Sequence, residues 1–224
     1  MQSVKSYQTI IFDCDGVLFN SNFFKLEIFL DIASNYGDIG ISEMEKILSA
    51  YPGQSRYFLF RKFIESLSKN KINNINIENL LDEFSKICTK KYLQASRSNY
   101  INKLARFLNA QAMVVSSSDQ IELNKIFSQL KMKNFFPLGI FGSPSNKYQI
   151  IEQCLSKGVI KPKVLYFGDG LIDIEVCEHF KFDMVFLTDW TMMRDYNRIC
   201  SIKKIAMFKS LKSYYLFLKK RNRL

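Results

Sequence analysis

The sequence predicts an α/β protein: a Rossmann-like parallel sheet with an all-helical insertion after its first strand. Three observations carry this. "YQTIIF" at residues 7–12 is a short, apolar, β-branched run of the kind that forms a buried strand. From about Phe23 to Leu108 the apolar residues recur at helical spacing. After that, short apolar runs alternate with helical stretches. Parallel strands need such crossovers.

The elements follow in order. In "NFFKLEIFLDIASNY", Leu26, Phe29, Leu30, Ala33 and Tyr36 recur every three or four residues. "SRYFLFRKFIESLSK" does the same, as does "NIENLLDEFSKICTKKYL", where Ile77, Leu80, Leu81, Phe84, Ile87 and Cys88 mark one face. "YPG" at 51–53 and the Asn-rich "KNKINNIN" at 69–76 separate these helices. The period then changes. Strands are predicted at "AQAMVVSS" (110–117), "LGIFGS" (138–143), "KVLYFGDG" (163–170) and "FDMVFLTD" (182–189). Helices between them run through "DQIELNKIFSQLKM", "NKYQIIEQCLSKG" and "IDIEVCEHF". "KKIAMF" reads as an edge strand and "SLKSYYLFLKK" as a last helix. The expected division is a core of residues 1–20 and 106–224 around a helical cap of residues 21–105.

At 224 residues the chain is long enough for one large domain, or a core with a smaller insert. No apolar run approaches the roughly 18–20 residues that span a bilayer. The first residues lack the pattern of a secretory signal, and the expected location is the cytoplasm. The five cysteines have no metal-type or CxxC spacing, so reduced, buried thiols are expected. His179 is the only histidine, and no nucleophile motif accompanies it, which points catalysis toward carboxylates. The net charge of +11 is concentrated: residues 196–224 hold nine of the 32 basic residues and no acid. A basic end can touch nucleic acid or acidic lipid; a solvated helix face also accounts for it.

The chemistry lies at the predicted strand ends, where open α/β sheets bind ligands. Asp13 and Asp15 follow the first strand, Ser116, Ser117 and Ser118 the second, Lys147 the third, and Asp169 and Asp173 the fourth. On extended backbone Asp13 and Asp15 project to the same side, and their repulsion calls for a hard divalent cation such as Mg²⁺. The serine hydroxyls, the amides at the start of the helix after Ser116, and Lys147 read as an anion site. A cation flanked by carboxylates beside an anion cradle suits phosphoryl transfer. A turn would account for any one of these residues; four clusters in this order are harder to explain so.

Asp13-Cys14-Asp15-Gly16-Val17-Leu18 resembles the first motif, DxDGVL, of the haloacid dehalogenase-like (HAD) superfamily. Ser116 after an apolar strand is similar to the second motif, Lys147 to the third, and Gly168-Asp169-Gly170-Leu171-Ile172-Asp173 to the fourth, GDxxxD. The resemblance covers nearly the whole chain and is greatest to the subgroup of phosphoglycolate phosphatase and β-phosphoglucomutase. It implies a Rossmann-like core with a helical cap inserted after the first motif. It implies Asp13 as nucleophile, forming an aspartyl-phosphate, and Asp15 as the acid and base. Mg²⁺ would be held by Asp13, the Asp15 carbonyl and Asp169, with Asp173 nearby. Ser116, the Ser117 backbone and Lys147 would hold the phosphate. Dehalogenases lack the second aspartate, so Asp15 points to phosphotransfer. Many relatives carry an acid or Ser where this chain has Gly170, which leaves Asp173 as the second carboxylate.

The helical block contains Gly53-Gln54-Ser55-Arg56. In some relatives a loop of this form sets its arginine over the site against a second anionic group; an Arg56 pointing to solvent is the alternative. Trp190 is a candidate pocket lining. A cap favours a small phosphorylated metabolite, of the phosphoglycolate or sugar-phosphate type, over a phosphoprotein. The other readings are a phosphomutase on the same machinery and a non-catalytic protein whose basic end binds nucleic acid. Monomer and homodimer are both open.

Overall fold

The computed structural model describes residues 6–221; the start of the N-terminal stretch, and Arg223 of the basic segment, lie outside the described residues. Six strands form one parallel sheet: β1 (Thr9–Phe12), β2 (Gln111–Asp119), β3 (Ile140–Ser143), β4 (Val164–Gly168), β5 (Asp183–Leu187) and β6 (Ala206–Phe208). Their order is β3-β2-β1-β4-β5-β6. The direction of winding reverses between β1 and β4, and ligands of open sheets bind at such a point. Both strands end there on acids, Asp13 and Asp169.

Alternation along the strands builds two layers. Ile10, Phe12, Ala112, Val114, Leu165 and Phe167 face one side, against α5 (Ile101–Leu108), α6 (Gln120–Gln129) and α10 (Leu211–Arg221). Ile11, Met113, Val115, Val164 and Tyr166 face the other, against α7 (Lys147–Ser156) and α8 (Leu171–Phe180). Phe186 of β5 meets Ile174 and Cys200, the latter on α9 (Tyr196–Ile202), a helix that periodicity did not single out.

Between β1 and β2, α1 (Asn22–Ser34), α2 (Gly37–Ala50), α3 (Arg56–Lys69) and α4 (Ile77–Gln94) form a unit in which α1 packs on α2 and α4, and α3 on the same two. Its centre is aromatic: the Phe29 ring lies 4.4 Å from Phe84 and 5.1 Å from Phe60. The buried face of α1 is Ile28, Phe29, Ile32 and Ala33, rotated from the expected Leu26–Phe29–Leu30–Ala33–Tyr36 face. Nearly every second residue of α1 is apolar, so periodicity alone leaves the rotation open and the positions of α2 and α4 settle it. Helix α2 also went unmarked in the sequence, because acids and Gly interrupt its apolar residues. The unit and one face of the sheet share a single hydrophobic cluster. No helix among the described residues is long and apolar enough to cross a membrane.

Candidate active site

The last ladder bond of β1 is Asp13 N to Phe167 O, at 2.9 Å, and the chain turns immediately after it. Leu18 N and Phe19 N both donate to Cys14 O, and Gly16 has φ +73°. A Cβ at Gly16 would lie 2.0 Å from Asp169 Oδ2, so only glycine lets the turn lie against the end of β4.

This turn changes the expected relation of the two aspartates. They do not share a countercharge; each has its own lysine. Asp13 Oδ2 lies 3.0 Å from Lys147 Nζ. Asp15 Oδ2 lies 2.6 Å from Lys25 Nζ and accepts from Ser118 Oγ at 2.6 Å, while Oδ1 accepts from the Ser21 and Tyr92 hydroxyls. Burial opposes charge on Asp15, yet Lys25 and the hydrogen bonds from Lys25, Ser118 and Ser21 outweigh it and bring its carboxyl down to about 2. The extended-backbone argument fails because β1 ends one residue before Asp13.

Asp13, Asp169 and Asp173 do converge, with carboxylate oxygens all within 4.8 Å of one another and all three side chains buried. Asp173 Oδ1 accepts from Lys147 Nζ at 2.6 Å and from the Tyr166 hydroxyl at 2.8 Å; its Oδ2 accepts from the amides of Asp169 and Gly170. Asn22 Nδ2 donates to Asp169 Oδ2 at 2.8 Å. Burial raises Asp13 to about 7, with Asp173 and Asp15 adding to the rise and Lys147 opposing it. Burial raises Asp169 as well, with Asp13 and Asp173 adding to the rise and Lys147 and the Asn22 hydrogen bond opposing it. Burial disfavours the charge on Lys147, but Asp13 and Asp173 overcome it and keep the ammonium protonated.

Three carboxylates against one ammonium leave two negative charges, and all the donors are hard oxygens. That set fits a small divalent cation such as Mg²⁺. The carboxylate of Asp15 is not part of it.

Ser116 and Ser117 stand on β2 one strand away from Asp13, with Ser116 buried and its Oγ accepting from Ser118 N. Ser117 and Lys147 line a cavity of about 190 Å³ together with Gly53, Gln54 and Ser55. A Cβ at Gly53 would lie 3.1 Å from Ile172 Cγ2, which fixes how close this loop comes to α8.

Arg56, one residue further on, is not in that cavity. It is buried at the start of α3, with Nη2 2.7 Å from Glu122 Oε1 and Nη1 2.8 Å from Ser85 Oγ. Its guanidinium lies 4.9 Å from the Phe84 ring centroid. It points neither at a substrate group nor at solvent, but joins α3 to α4 and to α6. The four-letter match could not show Glu122, 66 residues away, which captures the arginine. Trp190 lies beyond the acids, its carbonyl accepting from Asn22 Nδ2. His179 packs edge-on against Tyr148 and Phe180.

Sequence reasoning missed Ser21, Asn22, Lys25 and Tyr92 from the helical block, and it did not give Ser118 a separate role. Lys25 carried a signal, as a lone lysine inside the apolar run "FFKLEIF". Tyr166 carried another: a tyrosine in a fully buried strand needs a partner for its hydroxyl.

The family model described as haloacid dehalogenase-like hydrolase matches residues 10–187. Among curated proteins none matches the chain. Several solved structures share the fold. A β-phosphoglucomutase from Clostridium difficile has TM-score 0.69 at 15% identity, covering 97% of this chain and 98% of its own. A hydrolase from Pseudomonas syringae has TM-score 0.68 at 15% identity, with coverage of 96% and 98%. A structure described as a predicted phosphoglycolate phosphatase from Haemophilus somnus has TM-score 0.67 at 16% identity, with coverage of 93% and 96%.

Proposed function

This chain belongs to the haloacid dehalogenase-like hydrolases, and from that premise we propose that it is a Mg²⁺-dependent phosphatase of small phosphorylated metabolites. The observation that carries the reading is the acid cluster: Asp13, Asp169 and Asp173 within 4.8 Å at the reversal of strand order, with Lys147 on two of them.

In this reading Asp13, the Asp15 carbonyl, Asp169 and Asp173 would hold Mg²⁺, which would supply charge neutralisation to the phosphate. Asp13 attacks phosphorus; its oxygen gains the bond that the ester oxygen loses, and the departing alkoxide takes a proton from Asp15. Water then attacks the aspartyl-phosphate, giving its proton back to Asp15 and releasing inorganic phosphate and the Asp13 carboxylate. Lys147 and the Ser116–Ser117 segment hold the transferring group. Lys25 and Ser118 keep the resting Asp15 unprotonated, the form that accepts a proton from water. To act first as an acid, Asp15 must take a proton and part from Lys25, which belongs to the helical unit and not to the sheet.

The loop at 53–55 lines, with Ser117 and Lys147, a cavity of only about 190 Å³, below the usual 300–1,000 Å³ of ligand pockets. This favours a small ester such as phosphoglycolate or a sugar phosphate. All five cysteines are buried and unpaired, which suits a reducing compartment, and the reading places the enzyme in the cytoplasm. The test is a panel of phosphorylated metabolites and one aryl phosphate, assayed for phosphate release with Mg²⁺ and with EDTA. Release that needs Mg²⁺ is expected; release undiminished by EDTA, or none from any compound, sinks the reading.

A further inference from the structure

We propose a second anion site, for a small phosphate compound, in a cavity lined in part by Gly16 that shares no lining residue with the Ser117–Lys147 cavity. It has a volume of about 250 Å³. Two segments distant in sequence bring cations to it: Arg97 comes from the α4–α5 linker, and Lys209 and Lys212 from the turn between β6 and α10. None of the three forms an ion pair among the described residues, although Lys91, Lys203 and Arg198 each find a carboxylate elsewhere on the surface. Asp189 is the one acid on the lining, so the wall is positive in excess.

Cations gathered around a concavity repel one another until an anion neutralises them. The donors suit phosphate in kind as well as in charge. Arg offers a planar fork and Lys a point charge, Ser98 offers a hydroxyl, and the eleven-residue α10 begins at the cavity, where Ser210 caps it by accepting from Ser213 N. The catalytic candidates Asp13, Asp15, Ser116, Lys147, Asp169 and Asp173 do not line it.

The volume decides between two kinds of anion. About 250 Å³ holds one small phosphorylated molecule. A nucleic-acid strand is bound along an extended charged groove with successive stacking surfaces, which a concavity of about 250 Å³ does not provide. An occupant would also bridge Arg97, on the chain that leads from the α1–α4 unit back to the sheet, to the turn that opens the last helix. The site does not depend on the proposed phosphatase reading.

The test is calorimetric titration of pyrophosphate into the full chain in EDTA, where the cation-free acid cluster repels anions. One equivalent should bind to the wild type. The Lys209→Ala/Lys212→Ala variant should bind at least about tenfold more weakly, and Arg97→Ala should weaken binding in the same direction. All three side chains are exposed, so melting temperature and aryl phosphate hydrolysis should stay near wild type. Unchanged affinity in the double variant overturns the site. So does a wild type that binds no pyrophosphate at about 10 mM, well past the roughly 1 mM end of specific affinities. An oligonucleotide that binds with a steep salt slope and is not displaced by pyrophosphate would assign the surface to nucleic acid and overturn it too.

Discussion

Asp13→Asn removes a negative charge and a nucleophilic oxygen with almost no change of shape. Asp13 is buried beside Lys147 and 4.8 Å or less from two other carboxylates, so losing its charge relieves repulsion as well as removing an ion pair. The variant should fold, melt near the wild type, and show no turnover. A residual rate above about a tenth of wild type, a barrier change under about 1.4 kcal/mol, would exclude Asp13 as nucleophile. Lys25 is a positioning residue: it touches Asp15 and Ser118, not the reacting atoms. Lys25→Met takes away the charge that holds Asp15 at about 2, leaving burial to raise it. The acidic limb of the kcat profile should then move upward into the measurable range. An unmoved profile in a folded variant would show that Lys25 does not control Asp15.

At the scale of elements, the helical unit is joined to the core by polar contacts inside an apolar cluster. Arg56 on α3 meets Glu122 on α6, and Tyr57 on α3 donates to Asp119 at the end of β2. Removing one partner of a buried ion pair costs roughly 3–5 kcal/mol, because the other charge is left without compensation. Arg56→Ala should therefore lower the melting temperature strongly, while Arg56→Met with Glu122→Leu should recover part of the loss. Its effect on catalysis should be the same for an aryl phosphate and for the best natural substrate. A selective loss on the natural substrate would return Arg56 to the site. The GQSR stretch was legible as a loop over the core. Which of its residues enters the cavity was not, since that depends on where α6 places Glu122.

For the whole molecule, the acid cluster makes stability depend on pH and on metal together. The folded pKa of Asp13, about 7, lies above its unfolded value near 3.8, so the native state binds more protons between those values. Metal-free stability should fall as pH rises from about 4 to about 7, by at most about 1.4 kcal/mol per unit from this group. Asp169, raised as well, extends the decline in the same direction. Asp15 works oppositely: its depressed carboxyl stabilises the fold above about 4 and that contribution is lost as pH falls toward 2. Mg²⁺ binds the ionised cluster and should flatten or reverse the decline above pH 5, since ligand binding to the native state adds stability. Melting curves over pH 4–8 in EDTA and in Mg²⁺ check this; parallel curves would separate the cluster from the metal.

The sequence by itself determined the order of the strands and of most helices, α2 and α9 excepted, because period two and period 3.6 are local properties of the chain. It also determined which residues stand at the strand ends, since in a parallel sheet every strand ends on the same edge. It marked Asp13, Ser116, Lys147, Asp169 and Asp173 for that reason. Only the tertiary structure decided how the charges pair. Lys25 reaches Asp15 from a helix, Asn22 reaches Asp169 across 147 residues, Glu122 captures Arg56, and Arg97 meets Lys209 and Lys212 around one cavity. Ion pairs depend on distance in space and on burial, and neither is written in the spacing of residues along the chain.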